Sequence, residues 1–252
     1  VPSITVVIPV RDDAAMLATA LEALAAQTRA PDEVIVVDNG SSDASAAVAA
    51  RAGARVLTEP RRGIPHATAT GYDAVRTDLM ARIDADTICP PDWLARVERR
   101  FDDPALDLLT GGAEFYGAGE LAHRLGRSLY IGGMYWSMTP YLGHPPLFGS
   151  NFAMRRVVWE EISGEVHRET GIHDDLDLSL HVKPWMGVEY DPELVVAISA
   201  RPFDTVRGLA RRVWWVVPTL RNHWPEDAPW HRRAARREWA AAQEPRARTA
   251  EA

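Results

Sequence analysis

The chain has 252 residues, 46 % hydrophobic and 25 % charged, an ordinary globular composition that excludes a disordered tail, a collagen-like repeat and a coiled coil. Its single cysteine, Cys89, excludes a disulfide-stapled scaffold and a cysteine-based zinc cluster. The net charge of −7 is uneven: from Arg201 onward 11 Arg stand against 6 Asp and Glu, whereas residues 1–200 carry 17 basic against 29 acidic side chains. Five of the nine tryptophans, Trp214, Trp215, Trp224, Trp230 and Trp239, fall in that basic tail. Lys183 is the lone lysine, which fits the arginine-favouring codons of a GC-rich genome. No run approaches the ~20 apolar residues that span a bilayer. The first residues lack the basic-then-apolar order of a signal peptide.

Ile4 to Val10 is a continuous β-branched apolar run, as expected of a strand buried on both faces of a parallel sheet. Leu17, Leu21 and Leu24 then recur at helical spacing. Glu33 to Asp38 predicts a second strand, Asn39-Gly40-Ser41-Ser42 a turn, and Asp43 a cap for the Ala-rich helix that Gly53 closes. A short strand over Arg55–Thr58, a helix from His66 to Arg76 and a strand from Leu79 to Asp84 follow. Pro91 is placed to open the next helix, before Trp93-Leu94. Strand and helix alternate, so the fold class is α/β: a Rossmann-like, mostly parallel sheet flanked by helices.

In such sheets ligands bind beyond the carboxyl ends of the strands. Those ends carry Pro9-Val10-Arg11, Asp38-Asn39, Glu59-Pro60-Arg61-Arg62 and Asp84-Ala85-Asp86. There is no G-x-G-x-x-G turn, no P-loop and no G-x-S-x-G elbow. Carboxylates two apart at a strand end offer hard oxygen ligands to Mg²⁺ or Mn²⁺, although a lone D-x-D also occurs as a solvated acidic turn. After Leu109 frequent glycines, among them Gly111, Gly112, Gly117, Gly119, Gly143 and Gly149, predict a more irregular second half.

Taken in order, Val7 to Asp12, Val36 to Asp43, and Ile83 to Asp86 with Pro91 to Leu94 resemble the family 2 glycosyltransferases of the GT-A fold. Gly149-Ser150-Asn151-Phe152 is similar to the acceptor-side segment of that family, His173-Asp174-Asp175-Leu176 to its E-D motif, and Tyr190-Asp191-Pro192 to the strand that follows. The resemblance covers about Ile4 to Arg201. It implies one domain with a nucleotide-sugar-binding half (1–110) and an acceptor and catalytic-base half (111–200), followed by a basic, Trp-rich helical tail (201–252).

The activity it implies is non-processive, inverting transfer of one sugar from a nucleotide-diphosphate donor, UDP by default, to an acceptor hydroxyl. It implies donor contacts at Pro9, Val10, Arg11, Asp38, Asn39, Arg62, Asp84 and Ala85. The metal, Mn²⁺ or Mg²⁺, falls to Asp86 with Asp84. The general base falls to Asp175 with Asp174 as fallback, and the competing role for Asp175 is a helix cap. Acceptor contacts fall to Gly149, Ser150 and Asn151; apart from the resemblance, Trp136 is a candidate sugar platform in an aromatic cluster that also suits a core, and His173 a candidate acceptor contact that also suits a structural role. Asn39 stands where a second Asp is usual, and Thr68-Ala69 where Arg-Asn is common, which leaves Arg61 or Arg62 to reach the diphosphate. His181 stands where Arg is frequent, and no Q-x-x-R-W motif of processive members is present.

Val206, Leu209, Val213, Val217 and Leu220 form an apolar stripe beside Arg207, Arg211, Arg212 and Arg221, interrupted or kinked at Pro218. That helix suits either docking on the acidic body or contact with a membrane surface. A second basic helix is expected from Pro229 to Ala242. The expected acceptor is a sugar, a lipid-linked or a small molecule, and the expected location cytoplasmic or peripheral on the inner face of the membrane. Nucleic acid is not an expected partner, because the body is acidic and no recognition motif is present. Two alternatives are a catalytically silent sugar- or lipid-binding subunit of the same fold and a sugar-1-phosphate nucleotidyltransferase.

Overall fold

The computed structural model describes residues 1–117, 131–201 and 206–250. In chain order the elements are β1 (Ile4–Val10), α1 (Ala14–Ala25), β2 (Glu33–Asp38), α2 (Ser45–Arg51), β3 (Arg55–Thr58), α3 (Ile64–Ala74), β4 (Leu79–Arg82), β5 (Thr87–Ile88) and α4 (Trp93–Arg100). Then follow β6 (Leu108–Tyr116), α5 (Gly132–Leu142), β7 (Phe152–Arg155), α6 (Arg156–Ile162), α7 (Asp174–His181), β8 (Val188–Ser199), α8 (Val206–Asn222) and α9 (Pro229–Ala250).

The strands form one eight-stranded sheet in the order β3-β2-β1-β4-β7-β6-β8-β5. β1 pairs in parallel with β2 and β4, as do β2 with β3 and β6 with β8. β4–β7, β6–β7 and β5–β8 are antiparallel, so the sheet is mixed and its second half departs from the mostly parallel expectation. That half is also less irregular than its glycines suggest, since β6 and β8 are the long strands. The glycines serve close approach: a Cβ on Gly111 would lie 2.1 Å from the Leu194 carbonyl, where the β6–β8 register shifts.

β1 is buried along its whole length because it feeds both helical layers. Ile4, Val6, Ile8 and Val10 face Leu17, Leu21 and Leu24 of α1 and Trp93 of α4. Val7 faces the other way, with Ile35, Val37, Tyr72 of α3 and Trp159 of α6. Each such fully buried apolar side chain stabilises the fold by about 1.5–3 kcal/mol. A third, smaller cluster joins Leu142 of α5, Leu176 and Leu180 of α7, and Val216 and Leu220 of α8, so the tail docks on the body.

Arg232 of α9 reinforces that docking by donating to the Leu142, Ser179 and Leu180 carbonyls. α8 runs through Pro218 as one helix, and α9 continues past Ala242 to Ala250. Thr205, Gly119 and the side chains of Val206, Arg207, Leu209, Arg211, Arg212 and Val213 lie outside the described residues. Among the described residues no helix is long and apolar enough to cross a membrane.

Candidate functional site

The carboxyl ends of β1, β2 and β4 converge on one rim. Beyond β1, Asp12 takes a left-handed backbone (φ 50°), and its carboxylate accepts from the Ser42 N–H (2.6 Å) and hydroxyl (2.9 Å), locking the two turns together. Asp43 accepts from Ser45 N and from Ala14 N, the first residue of α1, so it serves two helix starts. Arg11 is exposed on the rim, whereas Pro9 and Val10 are buried beneath it.

Asp38 is buried and holds the turn through Ser41 N (3.0 Å). Asn39 is also buried, and its amide is engaged by the chain itself. It donates to the Glu59 (2.9 Å) and Arg61 (2.7 Å) carbonyls and accepts from Gly63 N (2.9 Å). An amide, unlike a carboxylate, both donates and accepts, and here the Asn39 side chain shapes the loop after β3. Arg61 folds back on buried Glu59 through Nε and Nη2 (2.9 Å each), whereas Arg62 is exposed. Glu59 is held down to about 2 by the Arg61 side chain, with Thr70 Oγ1 also donating, against burial.

β4 ends at Arg82, so Asp84-Ala85-Asp86 lies in the loop beyond it, with Ala85 buried. Asp84 pairs with Arg82 Nη2 (3.1 Å) and accepts from Ser150 Oγ (2.6 Å). Asp86 is raised to about 6 by burial and by the neighbouring charge of Asp84, with Arg201 opposing the rise. Arg201 reaches Asp86 at 3.4 Å and donates through Nη1 to Asp13 at 3.0 Å. Two carboxylates facing one rim are hard oxygen donors of the kind a divalent cation holds, and the raised Asp86 marks a place where positive charge is wanted.

Arg82 connects this rim to a second wall. It is 2 % exposed, and its Nη1 donates to Asp174 at 2.6 Å, at the start of α7. Burial raises Asp174, and Arg82 opposes the rise. The adjacent Asp175 points elsewhere: its carboxylate accepts from Gly149 N (3.0 Å) and Leu176 N (2.8 Å) and lines a cavity of about 720 Å³. Gly149 is there because nothing larger fits: a Cβ would lie 3.1 Å from both Arg82 Nη1 and Asp175 Oδ2.

Ser150, His173 and Asp84 line the same cavity, and Met134, Ser137 and Met138 of α5 close one side. Trp215, Val216 and Val217 of α8 close another, so the tail is part of the wall. Two of the expected acceptor-side residues, Asn151 and Trp136, do not line this cavity. Asn151 is fully buried, accepting from Trp93 Nε1 (2.9 Å) and donating to the Gly112 (2.8 Å) and Leu194 (2.7 Å) carbonyls, so it is a core clamp. Trp136 is 82 % exposed and does not line the cavity, because two positions along a helix turn a side chain by roughly 200° from Met134 and Met138.

Arg82 and Arg201 are not among the site residues expected from sequence, and Trp215 and Val217 stand out there for docking or membrane contact, not for the cavity. A signal for Arg82 existed, since an arginine inside Leu79-Met80-Ala81-Arg82-Ile83 is a buried charge in need of partners. For Arg201 no local pattern exists, and the α8 stripe signals a packed helix without saying what it faces.

The profile of the family described as "Glycosyl transferase family 2" matches residues 5–163. The chain belongs to that family. An uncharacterized glycosyltransferase of Mycobacterium tuberculosis is 40 % identical over 109 residues, which is 43 % of this chain and 48 % of the relative. Glycosyltransferase AglE of Haloferax volcanii is 29 % identical over 122 residues, 45 % of this chain and 40 % of that one. The chain thus spans about half the length of these relatives or less.

Among solved structures, the mannosyltransferase PcManGT from Pyrobaculum calidifontis, in complex with GDP-Man and Mn²⁺, superposes with a TM-score of 0.69 at 19 % identity. That match covers 87 % of this chain and 64 % of the other. Glucosyl-3-phosphoglycerate synthase from Mycobacterium tuberculosis, in complex with Mn²⁺, UDP and glucosyl-3-phosphoglycerate, follows at 0.62 and 20 %, covering 88 % and 79 %. These likenesses establish the GT-A architecture. The matched segment of the family profile ends before Asp174 and Asp175, so the second wall of the cavity lies beyond it.

Proposed function

We propose that this family 2 glycosyltransferase transfers one sugar from a nucleotide-diphosphate donor to an acceptor hydroxyl, with inversion and without processive chain growth. The observation that carries the reading is the division of labour between adjacent carboxylates. Arg82, Asp174 and Asp175 all line the cavity, but Asp174 is bonded to Arg82, whereas Asp175 is held by the Gly149 and Leu176 N–H groups with His173 Nδ1 3.8 Å away. A carboxylate so placed is oriented for proton transfer.

The donor half, residues 1–110, offers Pro9, Val10, Asp38 and Ala85 as the floor for base and ribose, and Arg11 and Arg62 as exposed cations at the rim. Asn39 supports this surface from beneath. Asp86 and Asp84 would hold Mn²⁺ or Mg²⁺, which supplies neutralisation of the charge that builds on the departing diphosphate. The solved neighbours that carry Mn²⁺ with a sugar nucleotide or nucleotide support that assignment. Arg201 adds a permanent positive charge beside the same oxygens.

Residues 111–200 furnish the acceptor side. Asp175 takes the proton from the acceptor hydroxyl as that oxygen attacks C1 of the sugar. The new C1–O bond forms on the face opposite the breaking bond to the diphosphate, and the nucleoside diphosphate leaves with the bonding pair. Gly149, Ser150 and His173 surround the place where the acceptor would lie, and Asp174, through Arg82, positions rather than reacts. UDP is the default nucleotide.

The tail, 201–252, is assigned two duties. Trp215, Val216 and Val217 shape the acceptor cavity, and the exposed Trp214, Val217, Trp224 and Trp230 favour peripheral contact with a membrane surface on the cytoplasmic side, where a lipid-linked acceptor would be met.

Donor turnover by the purified protein with Mn²⁺, across UDP- and GDP-sugars, tests the reading. An anomeric product signal of configuration opposite to the donor supports it. Turnover that survives unchanged in both Asp86→Ala and Asp175→Asn overturns the assignment of these residues.

A further inference from the structure

On the side of α7 away from the cavity, His167, Asp177, His181 and His223 converge, and one ligating atom from each lies within 4.8 Å of the others. They arrive from three places: the segment preceding α7, the first and last turns of α7, and the residue that follows α8. Asp177 is fully buried, and His181 and His223 are buried at 8 % and 4 % exposure. None of the four lines the large cavity. Sugar transfer as proposed above uses none of them.

The geometry around the four is that of ligands with a supporting outer layer. His223 turns Nδ1 to Asp227 (2.8 Å) and Nε2 inward to Asp177 Oδ1 (2.8 Å). Asp227 is itself held by Arg232 at 3.1 Å. His181 directs Nδ1 to the Asp177 carbonyl (2.8 Å), and the same atom lies 3.4 Å from the Asp177 carboxylate. His167 approaches Asp177 Oδ1 through Nδ1 at 2.8 Å, while its own N–H fixes the other carboxylate oxygen at 2.9 Å. Metal-bound imidazoles characteristically give their second nitrogen to a carboxylate or a carbonyl, as His223 does here.

We propose that His167, Asp177, His181 and His223 form a zinc-binding site, separate from the strand-end carboxylates. Three imidazoles and one carboxylate make a four-ligand set that suits Zn²⁺, whereas Mg²⁺ and Mn²⁺ favour oxygen donors. Ligand bonds of about 2.0–2.2 Å around tetrahedral zinc put donor atoms roughly 3.3–3.5 Å apart, so the 2.8 Å contacts to Asp177 would open slightly and the widest separations, within 4.8 Å, would close. All four positions are supplied by protein, which marks the site as structural. Zinc there would tie the segment before α7 and the end of α8 to the helix that presents Asp174 and Asp175.

The test uses the purified full chain and the metals themselves. Metal content is measured after dialysis without chelator, and chelator-treated protein is titrated with Co²⁺ and then Zn²⁺, following visible absorption and thermal midpoint. The expected result is about one zinc per chain, an intense tetrahedral Co²⁺ band displaced by Zn²⁺, and a midpoint that rises with either metal. His167→Gln, at the most exposed ligand, should weaken Co²⁺ affinity by about tenfold or more. Asp86→Ala should leave the Co²⁺ band untouched, so failure of the donor-site reading stays distinct from failure of this one. Absence of both band and midpoint shift in the wild-type protein, or a band lost in Asp86→Ala and kept in His167→Gln, overturns the zinc site and leaves a hydrogen-bonded cluster only.

Discussion

Arg82 and Asp174 meet at 2.6 Å across 92 residues of sequence, and that bond joins the end of β4 to the first turn of α7. Two carboxylates, Asp84 and Asp174, share this one buried guanidinium. Removing it strands both.

Arg82→Met should therefore destabilise the protein by about 3–5 kcal/mol, the usual cost of leaving buried charge uncompensated. Urea unfolding followed by tryptophan fluorescence measures it. A loss below about 1 kcal/mol would mean that Asp174 is protonated and needs no partner.

Asp175→Asn keeps the shape of the side chain and removes its basicity. Transfer should fall by about 10²–10⁴ in kcat, with the thermal midpoint and nucleotide binding close to wild type. Asp174→Asn should instead lower the midpoint, because it breaks the pair with Arg82. The reverse pattern would exchange the two assignments.

Gly149→Ala drives a methyl group toward Arg82 and Asp175, each 3.1 Å from the new atom. We expect kcat to drop with a smaller change in donor KM, since the displaced groups belong to the acceptor side. A variant with wild-type kinetics would show that Asp175 tolerates movement, which a positioned base does not.

Acid should act through Glu59. Its folded value of about 2 lies below the ordinary 4.5, so its contribution is present above pH 4.5 and is lost as pH falls toward 2. The thermal midpoint of Glu59→Gln should lie below wild type at pH 7, and the gap should close near pH 2. An equal gap at both pH values would remove the Arg61 and Thr70 bonds as its cause.

Cosedimentation with anionic liposomes addresses the exposed indoles. Wild type should pellet more than Trp214→Ser/Trp230→Ser, and salt should weaken the effect. No difference between the two proteins removes the membrane contact from the proposal.

The strand ends were legible because a doubly buried strand has a plain signature. Ile4 to Val10 and Glu33 to Asp38 are strands with the boundaries their β-branched runs suggest. The D-A-D carboxylates follow from where those strands stop. Side-chain direction was not legible in the same way. Gly149-Ser150-Asn151 reads alike whether its amide faces a ligand or Trp93, and only the packing of β6, β7 and β8 turns it inward. Trp136 reads as a sugar platform until the phase of α5 puts it on the outside. His167, Asp177, His181 and His223 carry no metal motif, since their spacing is set by how α8 folds back across α7.

The cavity wall supplied by Trp215, Val216 and Val217 has one more consequence. Those residues sit far beyond the segment that defines the family, on a helix held to the body by apolar packing away from the donor rim: Val216 and Leu220 rest on Leu176 and Leu180. One cavity thus draws its lining from two stretches of chain: Met134, Gly149 and Ser150 within the family segment, and α8 beyond it. Exchange of residues 206–250 for another tail would reshape that cavity while leaving the donor rim's strand ends in place.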